Sequence, residues 1–246
     1  FLDQVLVKVA ETFEKEVALR GKIRSAMTYP VVVFVMVLLI VSAMLIFIVP
    51  TFKNLYTSLG GELPMLTQIV VDGSDLLRER FYIIFPAFFG FVFGFFRWKK
   101  TESGRPIWDA FRMRIPMGIG AIVLKVGMAR FSRTLSTLIA AGVDILRSLE
   151  ITANTSGNAL IERATNEVRE RVQQGVPIAI PLTELAIFPP MIAHMVKVGE
   201  ETGELEKMLG KVADFYEDEV DTSVATLTSI IEPIMMIGVG AMVGVV

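Results

Sequence analysis

Twenty consecutive residues from Pro30 to Val49, "PVVVFVMVLLIVSAMLIFIV", carry no charge. An α-helix rises about 1.5 Å per residue, so the run reaches roughly 30 Å, the thickness of a bilayer's hydrocarbon core. A helix at a protein surface keeps a polar face. One that is apolar all round is a membrane span or the centre of a large core. The run predicts a transmembrane helix over 30–49, and the rest of the chain has to be arranged around it.

Two further runs follow. Phe81 to Phe96, "FYIIFPAFFGFVFGFF", is 16 residues long and about one turn short of a span. Arg78 and Arg80 before it, and Trp98, Lys99 and Lys100 after it, can anchor its ends at the interfaces. Pro86 should kink it unless neighbours satisfy the freed carbonyl. A second span over 81–96 is expected, with a buried Phe-rich core helix as the alternative. Ser229 to Val246 holds one charge, Glu232, and reaches the end of the chain without a polar stop. It is expected to be a third span, 229–246, truncated within the membrane.

Composition agrees with a mixture. At 53% hydrophobic and 20% charged, the chain is too apolar for an ordinary soluble domain and too charged for a bundle of spans alone. The net charge of −2 gives no reason to expect nucleic acid. With no Cys there are no disulfides or thiolate metal sites. The one His, His194, sits mid-helix between methionines and reads as packing or surface rather than as a proton switch. The chain opens at Phe1 with no Met and no basic n-region, which reads as a fragment, with no signal peptide shown.

Basic residues set the orientation. Lys15, Arg20, Lys22 and Arg24 precede the first span, and Arg97, Lys99, Lys100, Arg105, Arg112 and Arg114 follow the second. Between them, Thr51 to Arg80 has only Lys53, Arg78 and Arg80. Segments rich in Lys and Arg stay in the cytoplasm. This puts 1–29 and 97–228 inside and a periplasmic loop over 50–80 outside.

The chain also repeats itself. "KVAETFEKEVALRGKIRSAMTYP", Lys8 to Pro30, and "KVADFYEDEVDTSVATLTSIIEP", Lys211 to Pro233, match without gaps at an offset of 203 (211 minus 8). The apolar stripe Leu205, Met208, Leu209, Val212, Tyr216 and Val220 falls on Leu2, Val5, Leu6, Val9, Phe13 and Val17. Spacings of three and four put each stripe on one helix face. The expected design is a duplicated unit, each copy a helical bundle running into its own membrane helix. Residues 1–29 are then the last helix of a truncated first cytoplasmic domain, with about a hundred residues missing before Phe1 by the repeat argument.

Residues 97–228 read as the complete second bundle, six or seven helices with short loops, because no stretch alternates with period two. Gly120 to Ala141 has a seam of Leu124, Met128, Phe131, Leu135 and Leu138, with Gly142 as its C-terminal stop. Asp144 and Asn158 can cap the next two helices. Gly175 and Pro177 end the second of these, and Pro189 and Pro190 open "MIAHMVKVGE". Gly203 makes a tight reversal, with Glu204 and Glu206 in the following first turn. The fold class is all-α, helical bundles fused to transmembrane helices.

"KIRSAMTYPVVVFVMVLLIVSAMLIFIVP", Lys22 to Pro50, resembles the signature of the inner-membrane platform proteins of type IV pilus and type II secretion machines, the GspF/PilC family. "RFSRTLSTLIAAGVDILRSLEI" and "VGEETGELEKMLGKVADFYEDEV" look like its other recurrent segments. "YEDEVD" and "PTFKNLYTSLGGELPMLTQ" resemble the pilus branch more than the secretion branch. The residues that carry the likeness or shape the fold are Lys22, Tyr29, Pro30, Pro50, Gly142, Gly199, Glu200, Gly203, Leu205 and Pro233. The resemblance implies a multi-pass protein of the bacterial inner membrane. It implies as partners a cytoplasmic assembly ATPase, pilins or pseudopilins, other inner-membrane machine subunits, further copies of itself and membrane lipid.

The chain offers little chemistry of its own. It has no phosphate-binding Gly-rich loop, no HExxH and no Ser-His-Asp set, so an energy source has to be a partner. Glu200, Glu201, Glu204 and Glu206 are the best cation candidates by composition, but a solvated helix corner is the favoured reading, and no metal or cofactor is assigned. Arg130, Arg133 and Arg147 form a candidate docking face, with an ordinary solvated face as the equal alternative, and Glu201, Glu204 and Glu232 are further contact candidates. An oligomeric transporter or channel component is the alternative function, although the first two spans hold almost no polar residue to line a path. An intramembrane enzyme is remote, since Ser42 is not enough for a catalytic set.

Overall fold

The computed structural model describes residues 2–58, 65–116 and 118–245, and its elements are helices with no strand among them. The side chains of Lys8, Val9, Phe13, Arg20 and several others of the first repeat copy lie outside the described residues, as do those of Phe81, Ile84 and Phe85. The chain divides into two compact units. One holds Phe1–Arg24 and Thr101–Leu227; the other holds Ser25–Lys100 and Thr228–Val246.

In chain order the elements are α1 (Leu2–Ala43), a π turn (Met44–Ile48), α2 (Val49–Ser58), α3 (Met65–Trp98), α4 (Gly104–Arg114) and α5 (Ile119–Ala140). They continue with α6 (Ile145–Thr155), α7 (Ala159–Gln173), α8 (Ala179–Glu184), α9 (Pro190–Thr202) and α10 (Leu205–Val245). Both long helices pass through a proline, Pro30 in α1 and Pro233 in α10, without ending there.

The first unit is built on α5. Met128, Phe131 and Leu135 from the expected seam are fully buried, and Leu124 packs at the edge of the same cluster. Around them close Leu149 of α6, Ile161 and Val168 of α7, Leu182 of α8, Ile192 and Val196 of α9, and Leu209 and Val212 of α10. The Phe131 and Phe188 rings meet at 5.1 Å between centroids. Each fully buried large apolar side chain contributes about 1.5–3 kcal/mol by leaving water.

The turns follow local chemistry. Asp144 accepts hydrogen bonds from the Leu146 N–H at 2.9 Å and the Arg147 N–H at 3.4 Å, and Asn158 does the same for Leu160 and Ile161. Such caps are worth about 0.5–2 kcal/mol each. Gly142, at φ 74°, closes α5: its N–H reaches the Ile139 carbonyl and the Val143 N–H reaches Leu138. That pair of bonds needs a left-handed residue, which glycine supplies without a Cβ clash.

In the second unit the pattern of exposure is reversed. Val31, Val32, Phe34, Met36, Leu39 and Ile40 on α1, and Ile234, Met236 and Ile237 on α10, are all exposed. Water does not tolerate a surface of that extent, whereas hydrocarbon does. Met27–Tyr56 and Leu205–Ala241 are each long and apolar enough to cross a membrane.

Two details differ from the sequence reading. The expected loop over 50–80 is largely helical, because Val49–Ser58 and the first half of α3 carry apolar residues at three- and four-residue spacing; Leu59 to Pro64 lie outside the described residues. The 81–96 segment is the second half of α3, and the non-helical residue in α3 is Arg80 (φ −114°, ψ 15°) rather than Pro86.

Candidate functional site

The "VGEETGEL" corner joins α9 to α10, and each of its signature residues has a local task. A Cβ on Gly199 would lie 2.8 Å from Leu205 Cα, so only glycine allows the start of α10 to come this close to α9. Gly203 takes the left-handed conformation, φ 74°, that reverses the chain between them. The Glu200 carboxylate reaches back across the bundle. It accepts from the Ile178 N–H at 2.6 Å and the Ala179 N–H at 2.9 Å, holding two donors at the start of α8 that have no partner within the helix.

That contact changes the reading of the acidic corner. Glu200 is occupied by backbone amides, Glu201 faces Lys197 at 4.0 Å and Glu204 pairs with Lys207 at 3.1 Å. Among the described residues no group of three acidic or imidazole side chains could hold a metal ion. Beside the corner lies a cleft of about 580 Å³ lined by Pro177, Ile180, Thr183, Glu184 and Lys197. Within it the Glu184 carboxylate bonds to Arg171, which holds its pKa below the usual 4.5.

The three arginines expected to make one docking face have separate tasks. Arg133 donates from Nε and Nη2 to Glu217 at 2.9 and 2.8 Å, and from Nη2 to Asp214. Burial works against its charge, but the hydrogen bonds to Glu217 and Asp214 outweigh it and raise its pKa. Arg130 donates to the Ser156 carbonyl at 3.4 Å, and Arg147 pairs with Glu150 at 2.9 Å. Arg133 is thus engaged in holding α5 to α10.

Its neighbours extend the same seam. Lys125, two turns before Arg133, reaches Glu219 at 2.7 Å and the Ser223 hydroxyl at 2.9 Å, while the Ser136 hydroxyl donates to the Glu206 carbonyl at 2.9 Å. Lys22 of α1 bonds to Asp221. A spacing of eight on α5 and of three on α10 was the signal available in sequence, but it did not name the partners. Asp109 had no such signal: it is buried, and its carboxylate accepts from the Ala159 N–H at 2.9 Å, fifty residues away.

In the second unit Pro50 explains the π turn. The Val49 N–H bonds to the Met44 carbonyl, the i to i−5 pattern. Continuing it would ask Pro50 to donate to Leu45, and proline has no N–H. The buried Ser74 hydroxyl of α3 donates to the Leu45 carbonyl instead. Nearby, Lys53 of α2 pairs with Asp75 of α3 at 2.7 Å.

Tyr29, Pro30, Pro233 and Glu232 belong to the apolar parts of α1 and α10. A cleft of about 430 Å³ opens there between the two helices, with Tyr29, Val33 and Val37 on one wall and Glu232, Met235 and Val239 on the other.

The family profile described as "Type II secretion system (T2SS), protein F" matches residues 2–50 and 131–246. Over the whole chain there is 44% identity to a protein named Type IV pilus assembly protein PilC from Thermus thermophilus, of which 60% is covered. A protein of the same name from Myxococcus xanthus is 39% identical over 99% of this chain and 58% of its own length. A Type II secretion system protein F from Pseudomonas aeruginosa is 32% identical over the whole chain and 60% of its own length. The chain therefore spans about three-fifths of the length of these relatives.

Proposed function

The chain belongs to the type II secretion system protein F family and is an inner-membrane protein, and from that premise we propose that it serves as the platform of a pilus-type assembly machine. In this reading the bundle of the first unit lies in the cytoplasm and receives force from an assembly ATPase. The membrane helices carry that force to pilins or pseudopilins leaving the bilayer. The protein hydrolyses nothing itself.

The observation that supports coupling most directly is α10. One helix of 41 residues contains both the charged seam that binds α5 and the apolar turns after Ser229. At 1.5 Å per residue it is about 60 Å long. A helix that continues through Pro233 can pass a displacement along its axis, whereas a loop at the same place would absorb it. The greater similarity to pilus assembly proteins than to the secretion protein favours the pilus branch.

The test is a flexible Gly-Ser insertion before Pro233, and separately before Pro30, in a strain that depends on this protein for pili. Piliation should be lost while the protein still accumulates in the inner membrane. Normal piliation with either insertion refutes helix coupling. Capture of an assembly ATPase by the protein, lost on reversing the charge of Glu201, would place the docking face at the α9–α10 corner.

A further inference from the structure

The cleft between α1 and α10 in the second unit is narrow, and it is apolar except at one end. Val33 and Val37 are four residues apart on α1, and Ile231, Met235 and Val239 follow at four-residue steps on α10, so each wall is a single helical stripe. These side chains are half-buried, while their neighbours on the outer faces are exposed. The walls descend seven or eight residues from Pro30 and Glu232, a depth of about 10–12 Å. At the shallow end stand the Glu232 carboxylate and the exposed Tyr29 ring. Among the described residues Glu232 has no hydrogen bond or ion pair.

A carboxylate at the edge of a membrane span is costly and normally has a cationic partner. The cleft is bounded by one stripe of side chains from each helix over about two turns. It suits a thin apolar chain with a positive group at its head. A tyrosine at that depth matches the headgroup level, where aromatic side chains with a polar tip are enriched.

We propose that this cleft is a lipid site selective for a phospholipid with a primary ammonium headgroup, of the phosphatidylethanolamine class. The ammonium donates to Glu232, the Tyr29 hydroxyl donates to the phosphodiester, and one acyl chain lies along Val33, Val37, Met235 and Val239. The acyl chain fills space that the two helices leave open, and the headgroup neutralises the carboxylate.

The experiment reconstitutes the chain in vesicles of equal ethanolamine- and glycerol-headgroup phospholipid. It is then extracted in mild detergent and the retained lipid is weighed by mass spectrometry. A charge-assisted hydrogen bond should enrich the ethanolamine lipid roughly tenfold over the glycerol lipid. Glu232→Gln should bring the ratio to that of the vesicle, and Glu232→Lys should invert it toward the anionic glycerol lipid. A fourth arm on the unmodified protein replaces ethanolamine by its trimethylated analogue, which keeps the charge but has no N–H, and retention should fall several-fold. Equal enrichment in the wild type and Glu232→Gln overturns the proposal. So does equal retention of the trimethylated headgroup, or a retained polypeptide helix that excludes lipid from the cleft.

Discussion

Replacing Glu200 by alanine removes the acceptor for two backbone donors at once. The Ile178 and Ala179 N–H groups lie 2.6 and 2.9 Å from its two oxygens, and both residues are buried, so water cannot readily take over. A buried donor left unmade costs about 1–3 kcal/mol, and hydrogen bonds to a charged group sit toward the top of the usual range. Because α8 can relax, the combined cost should be about 2–4 kcal/mol rather than the full sum. For a unit of this size that lowers the melting temperature by roughly 5–15 °C. Glu200→Gln keeps one acceptor but turns an NH2 donor toward the other amide, so it should recover less than half of the loss. The assay is thermal unfolding of the protein in detergent, paired with hydrogen exchange over the peptide that contains Ile178 to Leu182. Exchange should accelerate there before the rest of the bundle opens. If Glu200→Ala melts within a degree of the wild type and these amides stay protected, the assignment of Glu200 as the anchor of α8 is wrong.

Other consequences are more local. Gly199→Ala puts a Cβ 2.8 Å from the Leu205 backbone, which cannot swing aside as a side chain can, so a loss of about 1–3 kcal/mol is expected in the same melting assay. Ser74→Ala leaves the Leu45 carbonyl without its donor and should cost about 1–3 kcal/mol. In a Pro50→Ala background, which restores an N–H at residue 50, that cost should shrink, and a double-mutant cycle measures the difference. The Arg171–Glu184 pair sets a pH dependence. The carboxyl pKa is lowered in the folded state from 4.5, so its stabilisation is complete above that value and disappears as pH falls through the lower folded one. Melting curves of the wild type and Arg171→Gln should differ near neutral pH and converge in acid.

Sequence and structure divided the description of this chain along a physical line. Membrane helices are legible because the bilayer imposes length and apolarity residue by residue, and 30–49 meets both without any neighbour. Caps are legible for the same reason. Asp144 and Asn158 bond to amides two and three residues on, so their role is written within one turn. The partners of the arginines were not legible. Arg133 looks like a free surface base until α10 brings Glu217 and Asp214 against it from 84 and 81 residues away.

Distance along the chain also hid the other carboxylates. Glu200 serves α8 from 22 residues downstream, and Asp109 serves α7 from fifty residues upstream. Both replace a local cap that their helices lack or supplement, and no spacing rule connects them. Nor does sequence show the π turn that precedes Pro50, whose spare Leu45 carbonyl is met by Ser74. By itself the sequence determined that 30–49 is a helix apolar enough for lipid, since that depends on run length and solvent transfer alone; it did not reveal the helices within 50–80. Only the tertiary structure decided which charges are committed inside the bundle and which, such as Glu232, are left facing an open cleft, because a charge's role depends on the groups that folding brings within a few ångströms of it.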